Sequence, residues 1–164
     1  MSNELNNHLT SNSVSGPSTP AILPGPDTTL EGITLSQPVR LLFASPDAES
    51  REHINAICLI HPDLDLTICE TLQDAVMSTF IQSIDVMMLE LDHSDRHGLD
   101  AMRWLNQRRH EDAPSCIAFS ANPSANDIKA ALDCGFEDYL NKPLELSAFW
   151  SAIGTSVSNR RQAR

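Results

Sequence analysis

The stretch Asp85-Val86-Met87-Met88-Leu89-Glu90, followed eight residues later by Gly98, decides the fold of this chain. Four consecutive apolar residues without alternation predict a short strand that is buried on both faces. Strands of this kind occur in parallel sheets that helices cover on both sides. Glu90 then places a carboxylate at the strand end, where α/β proteins gather their functional side chains.

Short apolar runs alternate with amphipathic stretches on both sides of this central strand. Strands are predicted over 39–44, 64–69, 86–91, 116–120 and 138–140, and helices over 47–60, 71–80, 98–109, 124–135 and 144–157. Thr71 with Asp74, and Ser124 with Asp127, have the spacing of helix N-terminal capping patterns, and Gly135 suits a helix end. Five repeats of strand and helix predict an α/β fold, a doubly wound five-stranded parallel sheet with helices on both faces.

The charge and composition of the chain limit the classes of function. A formal net charge of -11 at pH 7 argues against nucleic acid as the main partner, since phosphate binding requires a basic face. No apolar run is long enough to span a membrane, and the N-terminus lacks the basic and apolar regions of a secretory signal. Four cysteines without CxxC spacing fit a reduced compartment. We therefore expect a cytoplasmic protein whose partner is neither nucleic acid nor membrane.

The two ends of the chain differ from its middle in composition. Residues 1–38 are rich in Ser, Thr, Asn, Pro and Gly, hold five of the ten prolines and contain no Lys or Arg. Because such a segment cannot bury enough apolar area to offset the entropy lost on ordering, we predict a disordered tail. A single domain is expected over 39–158, and the basic end 159–164 is expected to fray.

Two further motifs accompany the fourth and fifth predicted strands. Ala118-Phe119-Ser120-Ala121-Asn122 places a hydroxyl at a strand end, and Gly135-Phe136-Glu137-Asp138-Tyr139-Leu140-Asn141-Lys142-Pro143 ends in a Lys-Pro pair. Over about residues 39–157 the chain resembles the response-regulator receiver domains of the CheY-like superfamily. The second motif is specific, because its whole pattern after an Ile-Ala-x-Ser strand is hard to obtain by chance. The resemblance implies a flavodoxin-like fold of the receiver type and a role in two-component signal transduction.

The resemblance also implies roles for particular residues. In that family an aspartate after the third strand accepts a phosphoryl group, two acids after the first strand hold magnesium, and a lysine and a hydroxyl contact the phosphate. Such a site combines an in-line carboxylate with cations that spread negative charge. Lys142 matches the lysine, Ser120 the hydroxyl and Tyr139 the aromatic switch. Glu90 falls at the phosphoacceptor position, five residues after Asp85.

The acidic pocket of the family is degenerate in this chain. Phe43 and Arg51, used as anchors, place Ser45 and Pro46 where the acidic pair should stand, with Asp47 one position late. Since a hard cation needs several oxygen ligands, the loss of two anionic ones predicts weak or absent Mg²⁺ binding and no cofactor. Asp47 is expected to start the following helix, where the helix dipole favours a carboxylate.

Glu90 departs from the family pattern in length. It is longer than aspartate by one methylene, so its carboxylate should extend toward the space of a phosphoryl group, pair with Lys142 and draw in Ser120. Glu90 is then either a built-in mimic of the phosphorylated state or a vestigial acid that satisfies Lys142. Both interpretations predict an atypical receiver, or pseudo-receiver, that works in phosphorelay signalling through protein–protein interaction and is not an enzyme.

Three alternatives remain open on sequence grounds. The domain could still be phosphorylated, on Glu90 or on Asp92, although the strand register argues against Asp92. It could sense a metal or small ligand through His93, Asp95 and His97, whose spacing in a loop is weak evidence for a metal site. It could also be a scaffold whose N-terminal tail is the working part.

The expected partner is a protein of a signalling pathway, either a histidine kinase or an output protein. In the family, partners and homodimers commonly use the face built from the fourth helix, the fifth strand and the fifth helix. That face corresponds to residues 125–157 of this chain, and the sequence of this region retains its apolar pattern.

Overall fold

A computed structural model describes residues 29–30, 33–34, 37–91, 96–107 and 113–162. Five strands form one sheet: β3 (Val39–Ala44), β4 (Leu64–Cys69), β5 (Val86–Glu90), β6 (Ser115–Ser120) and β7 (Asp138–Asn141). Their order is β4-β3-β5-β6-β7, and every neighbouring pair is parallel. This is the predicted flavodoxin-like sheet, with β5 at its centre, where Val86, Met87, Met88 and Leu89 are fully buried.

Helices cover both faces of the sheet. They are α1 (Ala48–Leu59), α2 (Leu72–Ile81), α3 (Arg96–Gln107), α4 (Ala125–Cys134) and α5 (Leu146–Gln162). One core cluster joins α1 and α5 to alternate strand residues such as Phe43 and Met88, and a second joins α2, α3 and α4 to the residues between them, such as Met87 and Leu89. Because side chains alternate across a strand, a residue's position in its strand decides which helices it faces.

The predicted helix signals are present in the structure. Thr71 accepts a hydrogen bond from the backbone N–H of Asp74 at the start of α2. Ser124 and Asp127 form a reciprocal capping box at α4, which ends at Gly135 with φ of 107°. A β-carbon on Gly135 would also lie 2.4 Å from Asn106 Nδ2, so both the backbone conformation and the close approach of α3 require glycine.

Helix α3 begins two residues earlier than predicted, at Arg96 instead of Gly98. Gly98 therefore lies inside the helix, and a β-carbon there would come within 2.2 Å of the Leu91 side chain. The glycine that marks the start of the helix in sequence serves in the structure to bring the helix close to the end of the central strand. The predicted end of this helix, at 108–109, lies outside the described residues.

The N-terminal segment departs from the predicted disorder at four residues. Strands β1 (Thr29–Leu30) and β2 (Ile33–Thr34) form a two-stranded antiparallel sheet in the register Thr29 to Thr34 and Leu30 to Ile33. β-branched and apolar residues of this kind favour strands, which the composition of the whole segment conceals. Residues 1–28 lie outside the described part of the chain.

The expectation of a frayed basic end is wrong for the first residues of that end. Helix α5 continues five residues beyond its predicted end, through Gln162. Arg160 Nη1 donates to the carbonyl oxygens of Ile84, at 3.4 Å, and Asp85, at 3.2 Å, and also to that of Ala113. The guanidinium thus satisfies carbonyl groups at the N-terminal edge of the sheet, which holds the last turn of the helix in place.

Candidate functional site

Three polar side chains lie on the α1 side of the sheet, at the carboxyl ends of three strands. Ser45 follows β3, Glu90 ends β5 and Lys142 follows β7. The residue two positions before each of them belongs to the core cluster shared with α1 and α5, namely Phe43, Met88 and Leu140. The register of β3 and β5 pairs Ala44 with Leu89. One residue further along each of these strands, Ser45 therefore lies opposite Glu90.

Lys142 is held between two carboxylates. Its Nζ lies 3.0 Å from Asp47 Oδ2 and is also in contact with Glu90 Oε1. Nζ further lies 5.4 Å from the ring centroid of Phe119, within the range of a cation–π interaction. Burial alone would lower the pKa of Lys142, but the hydrogen bonds and charges of Glu90 and Asp47 outweigh it and raise this pKa above its usual value. The ammonium is therefore fixed in its charged form.

Ser45 holds the second oxygen of Glu90. The serine is buried, and its hydroxyl donates to Glu90 Oε2 while accepting the backbone N–H of Asp47 at 3.0 Å. The Ser45 N–H donates to the carbonyl of Cys69 at 3.1 Å. Both carboxylate oxygens of Glu90 thus have partners, one cationic and one neutral.

Asp47 combines two tasks. As predicted, it starts α1: its side chain accepts hydrogen bonds from the backbone N–H groups of Glu49 and Ser50 and, at 2.6 Å, from the Ser50 hydroxyl. The same carboxylate contacts Lys142. The Ser50 hydroxyl bond and the Lys142 ammonium together hold the pKa of Asp47 well below its usual range. We call Ser45, Asp47, Glu90 and Lys142 the charged group.

Arg51 supports the charged group, a role that the sequence did not reveal beyond its use as an anchor. Its Nη1 donates to the Ser45 carbonyl at 2.8 Å, and its Nη2 lies 3.4 Å from Glu70 Oε1. The guanidinium thereby fixes the backbone of the loop between β3 and α1. The signal for this role is the spacing of six residues between Ser45 and Arg51, which spans the loop and the first turn of α1.

Ser120 and Tyr139 form a separate unit, which we call the hydroxyl pair. Ser120 Oγ lies 2.8 Å from Tyr139 Oη, and either oxygen can donate the hydrogen bond. Ala118, two positions before Ser120, belongs to the core cluster of α2, α3 and α4, and Tyr139 packs against that cluster, on the opposite side of the sheet from the charged group. The expectation that Glu90 draws in Ser120 is wrong: among the contacts of the described residues, the Ser120 hydroxyl bonds to Tyr139.

The predicted site residues therefore do not form a single cluster. The structure brings Ser45, Asp47, Glu90 and Lys142 together and places Ser120 with Tyr139. Pro46 is exposed in the loop between β3 and α1. Asp92, His93 and Asp95 lie outside the described residues, while His97 is exposed on α3. Within the part of the chain that is described, no group of three or more His, Cys, Asp or Glu side chains could hold a metal ion.

A cavity of about 440 Å³ opens beside the charged group. Its polar lining includes Asp47, Glu49, His53 and Lys142. Phe119 and Leu144 add apolar side chains to the lining. The charged group is thus accessible from solvent through this opening.

Comparison with known proteins defines the class of this chain. Residues 46–154 match the family model of the response regulator receiver domain. Since the match covers more than half of the sequence and includes four of the five strands of the sheet and the Lys142 motif, the chain belongs to the response regulator receiver domain family. Receiver domains are signalling modules of two-component phosphorelays. No helix among the described residues is long and apolar enough to cross a membrane.

One curated relative is the KDP operon transcriptional regulatory protein KdpE of Escherichia coli strain K12. It is 36% identical over 88 residues, which make up 54% of this chain and 38% of that protein. The chain therefore matches less than half of the length of this relative.

Solved structures share the fold at low sequence identity. A signal receiver domain from Vibrio parahaemolyticus has a TM-score of 0.66 at 21% identity, with 76% of this chain and 94% of that chain covered. A response regulator receiver domain protein from Clostridium thermocellum gives 0.66 at 15%, covering 77% and 99%. The receiver domain of Ssk1 from Saccharomyces cerevisiae, solved with the histidine phosphotransfer protein Ypd1, gives 0.65 at 19%, covering 78% and 93%.

Proposed function

We propose that this chain is a pseudo-receiver: a receiver domain of a phosphorelay that acts through protein–protein interaction without accepting a phosphoryl group. One observation carries the proposal. The carboxylate at the phosphoacceptor position, Glu90, has its two oxygens engaged by Lys142 and Ser45. An ammonium and a hydroxyl that hold the two oxygens lower the nucleophilicity of this carboxylate and fix its orientation, and both effects oppose in-line attack on a phosphodonor.

Glu90 replaces only some of the contacts that a phosphoryl group makes in the family. Its negative charge engages Lys142, the residue whose family counterpart contacts the phosphoryl group. The hydroxyl of Ser120, the other phosphate contact of the family, bonds to Tyr139 instead. We therefore propose that Glu90 supplies a permanent negative charge to Lys142, while Ser120 and Tyr139 are governed by the hydrogen bond between them.

The proposal includes independence from a divalent cation. Mg²⁺ prefers several oxygen ligands at short, nearly octahedral distances. At the positions of the family's acidic pair, Ser45 and Pro46 supply no carboxylate. The two acids of the charged group, Asp47 and Glu90, share the Lys142 ammonium. This donor set does not suit Mg²⁺.

The proposed partner is a signalling protein of the cytoplasm, either a histidine kinase or phosphotransfer protein or an output protein. The similarity to the Ssk1 receiver domain, which was solved in complex with Ypd1, supports a partner of the first kind. The face of α4, β7 and α5 is complete in the structure and exposes Leu132 and Leu146, at 44% and 52%. We propose this face as the surface for output partners or a homodimer.

Phosphorylation can be tested by intact-mass spectrometry after incubation with acetyl phosphate and MgCl₂. Wild type should remain unmodified. The matched positive control is the triple variant Ser45→Asp, Pro46→Asp, Glu90→Asp, which restores the family's acids and acceptor and should gain one hydroxylamine-labile phosphoryl group. The single variant Glu90→Asp should gain little, because the acidic pair is still missing.

A stoichiometric, hydroxylamine-labile adduct on wild type would overturn the proposal. Peptide mapping of that adduct to Glu90 or to Asp92 would then decide between the two phosphorylated alternatives. Labelling of the triple variant with none on wild type would support the pseudo-receiver.

A further inference from the structure

We propose that Ser45 is the positioning residue that replaces a divalent cation in this site. Its hydroxyl bridges the end of β3 to the carboxylate of Glu90, so that the charged group closes without a metal ion. The inference rests on the proposed function, which it extends to the question of how the site is stabilised without Mg²⁺.

The position of Ser45 explains why an acid there would need a metal ion. Ser45 stands opposite Glu90 in the parallel pairing of β3 and β5, and its hydroxyl touches Glu90 Oε2. A carboxylate in its place would face the carboxylate of Glu90 at close range. Like charges at this distance disfavour each other's ionised form unless a cation lies between them. A hydroxyl donates a proton to the same oxygen and removes the conflict.

Every polar atom of Ser45 takes part in a hydrogen bond. Its N–H donates to Cys69, its carbonyl accepts from Arg51, and its hydroxyl accepts from the N–H of Asp47 while donating to Glu90. Ser45 as a whole is only 1% exposed, so little water reaches these bonds. A buried residue with every polar group engaged holds one geometry.

A single ammonium is shared by the two carboxylates of the group, so one negative charge is left over. Asp47 and Glu90 each contact Lys142, whose ammonium is the one cation that the structure places between them among the described residues. In a metal-dependent site the divalent ion gathers the carboxylates. Here Lys142 supplies the positive charge and Ser45 supplies the bridge to the neighbouring strand.

The test compares thermal unfolding midpoints in MgCl₂ and in NaCl of equal ionic strength. Wild type should give the same midpoint in both salts. Ser45→Asp should unfold at a midpoint lower by roughly 5–10 °C in NaCl and regain part of this loss in MgCl₂. Adding Glu90→Gln to Ser45→Asp should restore the midpoint in NaCl, because the neutral amide removes the repulsion.

Ser115→Asp is the matched control. Ser115 is buried to the same degree, 2% against 1% for Ser45, but lies at the start of β6, on the opposite edge of the sheet from Glu90. Its substitution should lower the midpoint equally in both salts. A selective response of Ser45→Asp to Mg²⁺ therefore reports the local site and not a general effect of a buried acid.

A second measurement covers the case in which Ser45→Asp does not fold. Mn²⁺ added to ¹⁵N-labelled wild type should leave the amide signals of Asp47 and Glu90 sharp, and the folded double variant Ser45→Asp, Glu90→Gln should show broadening at Asp47. Stabilisation of wild type by Mg²⁺, or broadening of its signals by Mn²⁺, overturns the role of Ser45. That result without a phosphoryl adduct would overturn the role of Ser45 and the independence from a divalent cation, but it would leave the absence of phosphorylation standing. An adduct without metal binding would overturn only the absence of phosphorylation.

Discussion

The charged group and the hydroxyl pair occupy the same edge of one sheet but differ in how they are held. Glu90 and Lys142 sit on the α1 side, tied by ion pairs and by buried hydrogen bonds. Ser120 and Tyr139 sit on the α4 side, joined by one neutral hydrogen bond. Because strand alternation separates the two units, residues that a sequence motif collects into one site become two sites of different stiffness.

This difference indicates which unit is able to move. Breaking the charged group leaves a partly buried carboxylate or ammonium without its counter-charge, which is costly. Breaking the hydroxyl pair costs one neutral hydrogen bond, and water can replace a partner of the half-buried Tyr139. The comparison therefore assigns rigidity to the side of Glu90 and adaptability to the side of Tyr139.

The largest expected effect comes from removing the cation of the charged group. Lys142→Ala leaves Glu90 and Asp47 facing each other and should lower the free energy of unfolding by about 1–3 kcal/mol. Glu90→Gln should cost less, since Lys142 keeps Asp47. Urea denaturation measures both. The control is Lys129→Ala, which removes an exposed ion pair with Asp133 on α4 and should lower the free energy of unfolding by under ~0.5 kcal/mol. Equal stabilities of Lys142→Ala and wild type would show that the charged group does not stabilise the fold.

The hydroxyl pair should give a smaller effect. Tyr139→Phe leaves the hydroxyl of the buried Ser120 without its partner and should lower the free energy of unfolding by about 1 kcal/mol. Ser120→Ala should cost a similar amount, and the double variant should cost less than the sum of the two. Denaturant melts of all four proteins complete the cycle. Additive costs would mean that the two hydroxyls do not interact in solution.

The pH dependence of stability separates the two units further. The pKa of Asp47 is lowered from its usual 3.8, so its ionised form is favoured by folding. This contribution is fully present above about pH 4 and is lost as pH falls toward the lower folded-state pKa. Asp47→Asn keeps a side chain that caps α1 and should flatten the loss of stability between neutral and acidic pH.

Tyr139→Phe is the control for this pH series. This substitution leaves every carboxyl group of the protein in place and should leave the slope at acidic pH unchanged. Urea midpoints measured from neutral pH downward give the comparison. A wild-type slope retained in Asp47→Asn would assign the acid dependence to other carboxyls, such as Asp85, whose pKa is lowered by Arg40 against the opposing effect of burial.

The smallest expected effect concerns communication between the units. Tyr139 is the only tyrosine of the chain, so incorporation of 3-fluorotyrosine gives a single ¹⁹F signal. Ser120→Ala should displace this signal, while Glu90→Asp and Glu90→Ala should leave it in place. A displacement by the Glu90 variants as large as that of Ser120→Ala would show that Glu90 drives the aromatic switch as a phosphate mimic. A tenfold change in population corresponds to only about 1.4 kcal/mol, so the shift has to be read as a graded quantity.

Much of the fold was predictable because its signals are local. The period of apolar residues located all five strands and helices of the main sheet, and the capping pairs and Gly135 marked helix ends. The contact between Glu90 and Lys142 was predictable as well, since both residues stand at strand ends that a parallel sheet brings to one edge.

The remaining features depend on residues far apart in the chain. From the sequence alone Ser45 is only a lost acid, because the partner of its hydroxyl is set by the register of β3 with β5. The separation of Ser120 from Glu90 follows from the same geometry, since one position along a strand moves a side chain to the other face. The last turn of α5 has no periodic pattern of apolar residues. The carbonyl groups that accept hydrogen bonds from Arg160 lie 47 to 76 residues away in the sequence.

The anchoring of Arg160 has a mechanical consequence. A pull on the chain at the end of α5 would load the bonds between Arg160 and the carbonyls of Ile84, Asp85 and Ala113 before it reaches the rest of the helix. The force would enter the sheet at the start of its central strands, at the far end from Glu90. Arg160 would thus transmit tension at the end of α5 to the edge of the sheet that lies far from the charged group.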